Sequence, residues 1–232
     1  MLNWKGYNWL QNERWGFVHP EKSDWWYDSN CSFVDTDGNL NLLTKKNQKY
    51  FPEIDKISSI GVGLVSCTER FKWGRFEIEA KLPYGENLWP AFWMWSWDSW
   101  PPEIDVFEGY SDKNSNFFKL RISKLLGFWN VQTNIHYVKE GKNRMIGGKT
   151  HYFGFKDPTK NFIKYAVDWK KDRVNFYYND KIVRSIKDKL ILEQLNNTSM
   201  NVVINNGVTS DVNLEQPPLS NFIIKDFKYT KY

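Results

Sequence analysis

Pro102-Glu103-Ile104-Asp105-Val106-Phe107-Glu108 is the stretch on which the reading of this chain turns. Ile, Val and Phe are strand formers that pack best when half buried, and a strand sends alternate side chains to opposite faces. Glu103 and Asp105 therefore share one face and Ile104 takes the other. Glu108 lies at an odd offset from Glu103, so a regular strand would turn it toward the apolar side. One extra residue, a β-bulge around Phe107, returns it to the face of the other two carboxylates. Three carboxylates crowded together repel one another, and that cost points to a site rather than to an ordinary surface.

The bulge also implies a distance. Four strand steps separate Glu103 and Glu108 by roughly 13 Å at Cα. Side chains leaning together by about 4 Å each leave the carboxyls about 5 Å apart, near the spacing that a retaining glycosidase uses. A surface strand carrying a metal or salt-bridge cluster is the competing reading of the same residues. Just upstream runs Leu88-Trp89-Pro90-Ala91-Phe92-Trp93-Met94-Trp95-Ser96-Trp97, followed by Trp100. Trp89, Ala91, Trp93, Trp95 and Trp97 share a strand face, with Phe92 and Met94 on the opposite one. Each indole N–H wants a partner when buried, so a row of four suits a binding surface better than a core. Flat aromatic faces beside carboxylates match the C–H faces of sugar rings, although some of these rings are expected to pack the interior.

The run from Gly61 to Tyr110 resembles glycoside hydrolase family 16, the fold of laminarinases, lichenases, agarases and κ-carrageenases. The matching pieces are Trp73 to Pro83, Trp89-Pro90-Ala91-Phe92-Trp93-Met94 and the acidic motif, joined later by Gln132 to Tyr137, Tyr165 to Trp169 and Asn221 to Tyr229. The bulged spacing is similar to the laminarinase, agarase and carrageenase branches; lichenases usually have the shorter form. The resemblance implies catalytic roles for Glu103 (nucleophile), Asp105 and Glu108 (acid, then base). It also implies substrate-binding positions at Trp89, Trp93, Trp95, Trp100, Glu69, Gln132, Asn134, His136 and Asn205. Pro102 stands where laminarinases often place Gly, which leaves the substrate open. Relatives often bind a structural calcium through an Asp of the closing strand; here that position falls on Lys225 or Asp226, depending on a one-residue choice of alignment. No metal or other cofactor is assigned. The segments holding Cys31 and Cys67 loosely resemble those joined by a disulfide in lichenases, and a bridge is expected on that ground, with two buried free thiols as the alternative.

Composition limits the remaining possibilities. With 232 residues, 41% hydrophobic and 18% aromatic, the chain can build one sizeable core and a cleft. No run reaches the roughly 18 apolar residues of a membrane span, and Met1 to Lys5 open without an apolar leader, so a secreted or cell-surface placement requires that a signal peptide has been removed. The net charge is +5, with Lys and Arg scattered rather than massed, which argues against nucleic acid as a partner. Short strand signals recur with turns between them: residues 38–43, 75–82, 131–137, 162–169, 174–178, 182–186, 201–205 and 222–229. Tyr178-Asn179-Asp180-Lys181 reads as a tight hairpin turn, and Leu190 to Leu195 as a short helix. The pattern predicts an all-β chain, a two-sheet antiparallel sandwich, and the resemblance makes it a jelly roll with a concave substrate cleft. One domain over 1–232 is expected, acting as a monomer. Lys113 to Phe128, rich in Lys, Arg and Phe, is expected to be a cleft-lining loop. The aromatic opening segment is expected to pack onto the sandwich or close one end of the cleft.

The leading expectation is a retaining endo-glycanase on β-1,3- or mixed-linkage β-glucan. The alternatives are an endo-β-galactanase on agar- or carrageenan-like polymers, a transglycosylase, and a non-catalytic carbohydrate-binding protein.

Overall fold

The computed structural model describes residues 1–19, 22–85, 87–109, 125, 128–153, 156–209, 212–217 and 219–232. Most of Lys113 to Phe128 therefore lies outside the described residues, including the expected cleft loop.

Two sheets face each other. The inner sheet runs β1 (Leu2–Trp4), β2 (Tyr7–Leu10), β8 (Leu64–Cys67), β17 (Asn201–Val208), β10 (Leu88–Ser96), β11 (Ser99–Glu108), β12 (Phe128–Lys139) and β13 (Lys142–Phe153). The outer sheet runs β16 (Lys181–Ile186), β15 (Arg173–Tyr178), β14 (Ile163–Lys170), β9 (Gly74–Lys81), β18 (Ser220–Thr230), β6 (Leu40–Phe51), β7 (Lys56–Val62), β4 (Lys22–Tyr27) and β3 (Val18–His19), with β5 (Ser32–Val34) also paired to β6. Pairing is antiparallel except between β4 and β7. Every strand predicted from the sequence is present. Asn179 and Asp180 both take positive φ, 45° and 63°, as a tight two-residue hairpin turn requires. The short helix is α1 (Lys189–Asn196), where Asp188 caps the first turn by accepting from the Ile191 N–H at 3.1 Å.

The main core fills the space between the sheets. Alternation in β9 sends Phe76, Ile78 and Ala80 inward, where they meet Phe92, Met94 and Ile104 of the inner sheet. A second apolar cluster lies on the other face of the inner sheet. It joins Leu64, Leu88, Trp95 and Val203 to Trp25, Tyr27, Ile60 and Val62 from the end of the outer sheet. The outer sheet thus curls around the edge and covers part of the concave face. The chain passes directly from β7 to β8 at Gly63, where a Cβ would stand 2.4 Å from the Cys31 carbonyl oxygen and 2.8 Å from Leu42 Cα. Only glycine fits such a crossing.

The opening segment packs onto the sandwich, the first of the two expectations for it. Trp4 and Trp9 enter the main core through β1 and β2, while Trp15 and Trp25 join the second cluster. The expected disulfide is corrected: Cys31 and Cys67 are both free and buried. Cys31 Sγ points at Asp28 Oδ2, 3.6 Å away, while Cys67 sits in the main core.

Candidate active site

β11 carries the acidic motif, and its pairing shows how the three carboxylates come together. Against β10, Phe107 faces Phe92 and Asp105 faces Trp93, so Val106 has no partner of its own. Against β12, Asp105 pairs with Asn134 and Glu108 with Gln132, leaving Val106 and Phe107 opposite the single residue between them. This is the bulge expected from parity, spread over Val106 and Phe107. Both side chains go into the core with Ile104, and Phe107 packs against Tyr165 at 4.7 Å and Phe222 at 6.0 Å between ring centroids. Two apolar side chains in succession can both be buried only through this irregularity. The burial of Phe107 is therefore what turns Glu108 back to the face of Glu103 and Asp105.

Each glutamate has its own supports. Trp100 Nε1 donates to Glu103 Oε2 at 2.8 Å. His136, paired with Glu103 in register, places Nε2 3.4 Å from both Glu103 Oε1 and Asp105 Oδ2. The Trp100 and His136 rings lie 5.6 Å apart and flank the carboxylate. Asn134 Nδ2 donates to Glu108 Oε2. Gln132, Asn134 and His136 thus line up along β12, each opposite one of the acidic residues.

Burial is the leading cause that pushes Glu103 well above the usual carboxylate range, followed by the charge of Asp105; His136 and the Trp100 N–H pull the other way. Asp105 is raised by burial and then by the charge of Glu108. Three carboxylates in so dry a place do not all ionise together, and they titrate as a set rather than singly. Asp105 Oδ2 has no hydrogen-bond partner, whereas Glu103 has an indole donor. The Trp100 donor favours charge on Glu103, while the contact with Glu103 favours charge on Asp105, so the two carboxyls compete for a proton.

The aromatic row divides. Trp93 is half-buried, and its Nε1 donates to Asn205 Oδ1 at 2.8 Å, while Asn205 Nδ2 reaches the Trp89 carbonyl at 3.4 Å. Trp89, Trp93 and Asn205 therefore form one unit beside the acidic strand. Trp100 is 48% exposed. Trp95 is only 7% exposed and belongs to the second cluster, covered by Trp15 at 5.1 Å between centroids. The structure brings it close to the cleft but leaves almost no face open to a ligand. Glu69 is exposed just past β8, and its charge is felt by Tyr7 and Cys67; it is not drawn in among the acidic residues. Sequence reasoning missed Glu13, a buried carboxylate raised chiefly by burial and, to a lesser extent, by the charge of Glu103. The one signal for it was an acidic residue set in a dense aromatic segment, and no strand parity was available there.

Among the described residues, the one grouping of three side chains able to hold a metal ion is Glu103, Asp105 and His136, with donor atoms within 4.8 Å of one another. The closing-strand position that the resemblance links to calcium offers a poor donor set. Asp226 pairs with Lys5 at 3.4 Å, and Lys225 with Glu79 at 3.3 Å. An ammonium stands against the carboxylate where a dication would be needed, so the residues present do not fit a calcium ion.

A two-sheet sandwich with three carboxylates and exposed Trp side chains on one sheet face is of the jelly-roll class. The profile of Glycosyl hydrolases family 16 matches residues 20–217, and the chain belongs to that family. It is 26% identical over 185 residues to the Glucan endo-1,3-beta-glucosidase A1 of Niallia circulans, covering 75% of this chain and 25% of that protein. The chain thus spans about a quarter of the length of that curated relative. Among solved structures it superposes with a TM-score of 0.75 and 21% identity on one from the study "Prominent members of the human gut microbiota express endo-acting O-glycanases to initiate mucin breakdown", covering 96% of this chain and 84% of that one. A κ-carrageenase from Pseudoalteromonas carrageenovora, solved with an oligotetrasaccharide of κ-carrageenan, matches over 97% of this chain and 96% of its own at a TM-score of 0.64 and 18% identity.

Proposed function

We propose that this domain is a retaining endo-acting glycoside hydrolase whose substrate is a β-1,3- or mixed-linkage β-glucan. The observation that carries the reading is the bulge of β11, which sets Glu103, Asp105 and Glu108 on one face with a donor on each glutamate. Glu103 attacks the anomeric carbon, forming a C–O bond as the glycosidic C–O bond breaks. Glu108 gives its proton to the departing oxygen. In the second half, Glu108 takes a proton from water, whose oxygen attacks the same carbon and releases Glu103. Asp105 holds a proton between them and keeps the set from carrying three charges. Trp89, Trp93 and Trp100 offer flat faces to the sugar rings, and Gln132, Asn134, His136 and Asn205 offer hydrogen bonds to hydroxyls. Trp95 and Glu69 belong to the outer margin of this arrangement.

Similarity to an endo-1,3-glucosidase supports the glucan reading. A galactan-type substrate is favoured by one other observation, the near full-length match to a κ-carrageenase in a chain of net charge +5. The intact carboxylate trio opposes a purely binding role. Transglycosylation uses the same residues and differs in whether a sugar hydroxyl replaces water. A polymeric substrate supports a secreted or cell-surface location. No helix among the described residues is long and apolar enough to cross a membrane.

The test is reducing-sugar release from laminarin, mixed-linkage β-glucan, agarose, porphyran and κ-carrageenan, with Glu103→Gln as control. Release from a glucan, absent in the variant, supports the reading. Release from a galactan alone moves the substrate class, and release from none overturns hydrolysis of these polymers.

A further inference from the structure

Glu13 has no part in the steps above, yet no described carboxylate is more enclosed: it is 0% exposed. It begins a tight turn closed by hydrogen bonds from Gly16 N to Glu13 O (2.9 Å) and from Glu13 N to Gly16 O (3.3 Å). The Arg14 guanidinium donates to the Trp97 carbonyl and pins this turn to the end of β10. Glu13 Oε2 accepts from the Arg14 backbone N–H at 3.3 Å, while Oε1 is buried without a partner. Ser66 Oγ of β8 and Trp95 Nε1 of β10 are also buried and unpartnered. Both lie close enough to draw down the proton affinity of Glu13 without reaching hydrogen-bond geometry. Three orphaned polar atoms, one of them the Trp95 indole nitrogen, thus come together around Glu13.

Burial, the largest effect, lifts Glu13 to about 8. Ser66 Oγ and Trp95 Nε1 can both donate to the carboxyl, and the protonated form keeps these partners without a charge. Ionisation places a charge in an apolar enclosure, and that cost outweighs the two donors. The titratable groups facing it are Glu103 of β11 and Tyr27 of β4; the Arg14 guanidinium is occupied at Trp97, and His19 lies against the Trp15 and Trp25 rings, at 5.5 and 6.3 Å.

We propose that Glu13 is a positioning residue of the hydrolytic site: its neutral carboxyl holds Trp95 and Ser66 together beneath the cleft, and its ionisation shuts the site down at alkaline pH. The charges of Glu13 and Glu103 repel, so ionised Glu13 opposes charge on Glu103, and it draws water to the buried Trp95, so the nucleophile and the packing behind it are lost together. This rests on Glu103 being the nucleophile.

The experiment is the pH dependence of kcat and of kcat/KM for the wild type, Glu13→Gln and Ser66→Ala, on whichever polymer of the panel the wild type cleaves. The wild-type kcat/KM is expected to fall above about pH 8. Gln keeps a donor and an acceptor but has no proton to lose, so its alkaline fall begins at least about one pH unit later, a roughly tenfold gain in relative rate at that pH. Ser66→Ala removes a group that lowers the proton affinity of Glu13 and moves the fall in the same direction. A Glu13→Gln profile that superimposes on the wild type overturns the proposal. If that variant does not fold, an unmoved Ser66→Ala profile does so. A wild type that cleaves none of the polymers overturns the hydrolase reading and this one with it; an active wild type with unmoved variants overturns this one alone.

Discussion

Trp93 and Trp95 are neighbours on the same face of the same strand, with rings 6.4 Å apart and nearly parallel at 22°, yet they belong to different halves of the molecule. Trp93 stands half open, its N–H answered by Asn205. Trp95 is covered by Trp15, and its N–H is unanswered. Strand periodicity assigns a side chain to a face, but it does not tell what lies over that face. Here the cover comes from β4, β7 and the turn at Glu13, which are remote in sequence from β10. One half of that face stays open and the other has become a second core.

The largest contrast between the halves should appear in turnover. In the proposed mechanism Glu108→Gln removes the general acid and is expected to lower kcat by about 10² to 10⁴-fold. Glu103→Gln removes the covalent step and should lower it at least as far, with circular dichroism unchanged in both. Wild-type-like turnover in either variant would place the chemistry elsewhere.

The covered half should answer in stability instead. Glu13 ionises near 4.5 in the unfolded chain and near 8 in the folded one. The folded protein therefore retains a proton that the unfolded chain has lost, and stability falls as pH rises between those values before levelling off. Glu13→Gln should gain nothing at pH 4 and should raise the thermal midpoint progressively toward pH 8, with a ceiling of roughly 5 kcal/mol. A midpoint difference independent of pH would show that folding does not raise the proton affinity of Glu13. Trp15→Ala should cost about 2 kcal/mol, short of a fully buried aromatic, and should redden and quench tryptophan emission as Trp95 meets water.

Smaller still is the effect of Trp93→Phe, which keeps a ring but loses the bond to Asn205. The expected rise in KM is about three- to tenfold, the equivalent of one hydrogen bond, with kcat nearly kept. The smallest is reduction: with both thiols free and pushed up to about 12 by burial, dithiothreitol should leave the thermal midpoint unmoved. A drop would restore the disulfide.

These halves were not equally legible in the sequence. The bulge could be read because three carboxylates and three apolar residues leave one consistent parity, and burial of Phe107 satisfies it. The strands around it were legible for the same reason, being short alternating runs between turns. Trp95 was assigned to the correct face and still misjudged in exposure, because Trp15 reaches it through tertiary packing. Glu13 lies outside any strand, where period-two reasoning has no purchase. The disulfide was drawn from likeness to a subset of relatives, and the local chemistry differs: the Cys31 thiol is turned to Asp28, which also accepts from Asn47 Nδ2 at 2.7 Å and from the Asn30 N–H at 2.9 Å.

Gly63 has a consequence for how the molecule comes apart. The chain leaves the outer sheet at Val62 and enters the inner one at Leu64 with a single residue between, itself held by a hydrogen bond from Asn206 N to its carbonyl at 2.9 Å. Neither sheet can be peeled from the other without pulling that crossing open. The two clusters share the same hinge point in the chain, so heat or denaturant should melt them in one cooperative step, and an enlarged side chain at this position should weaken both at once.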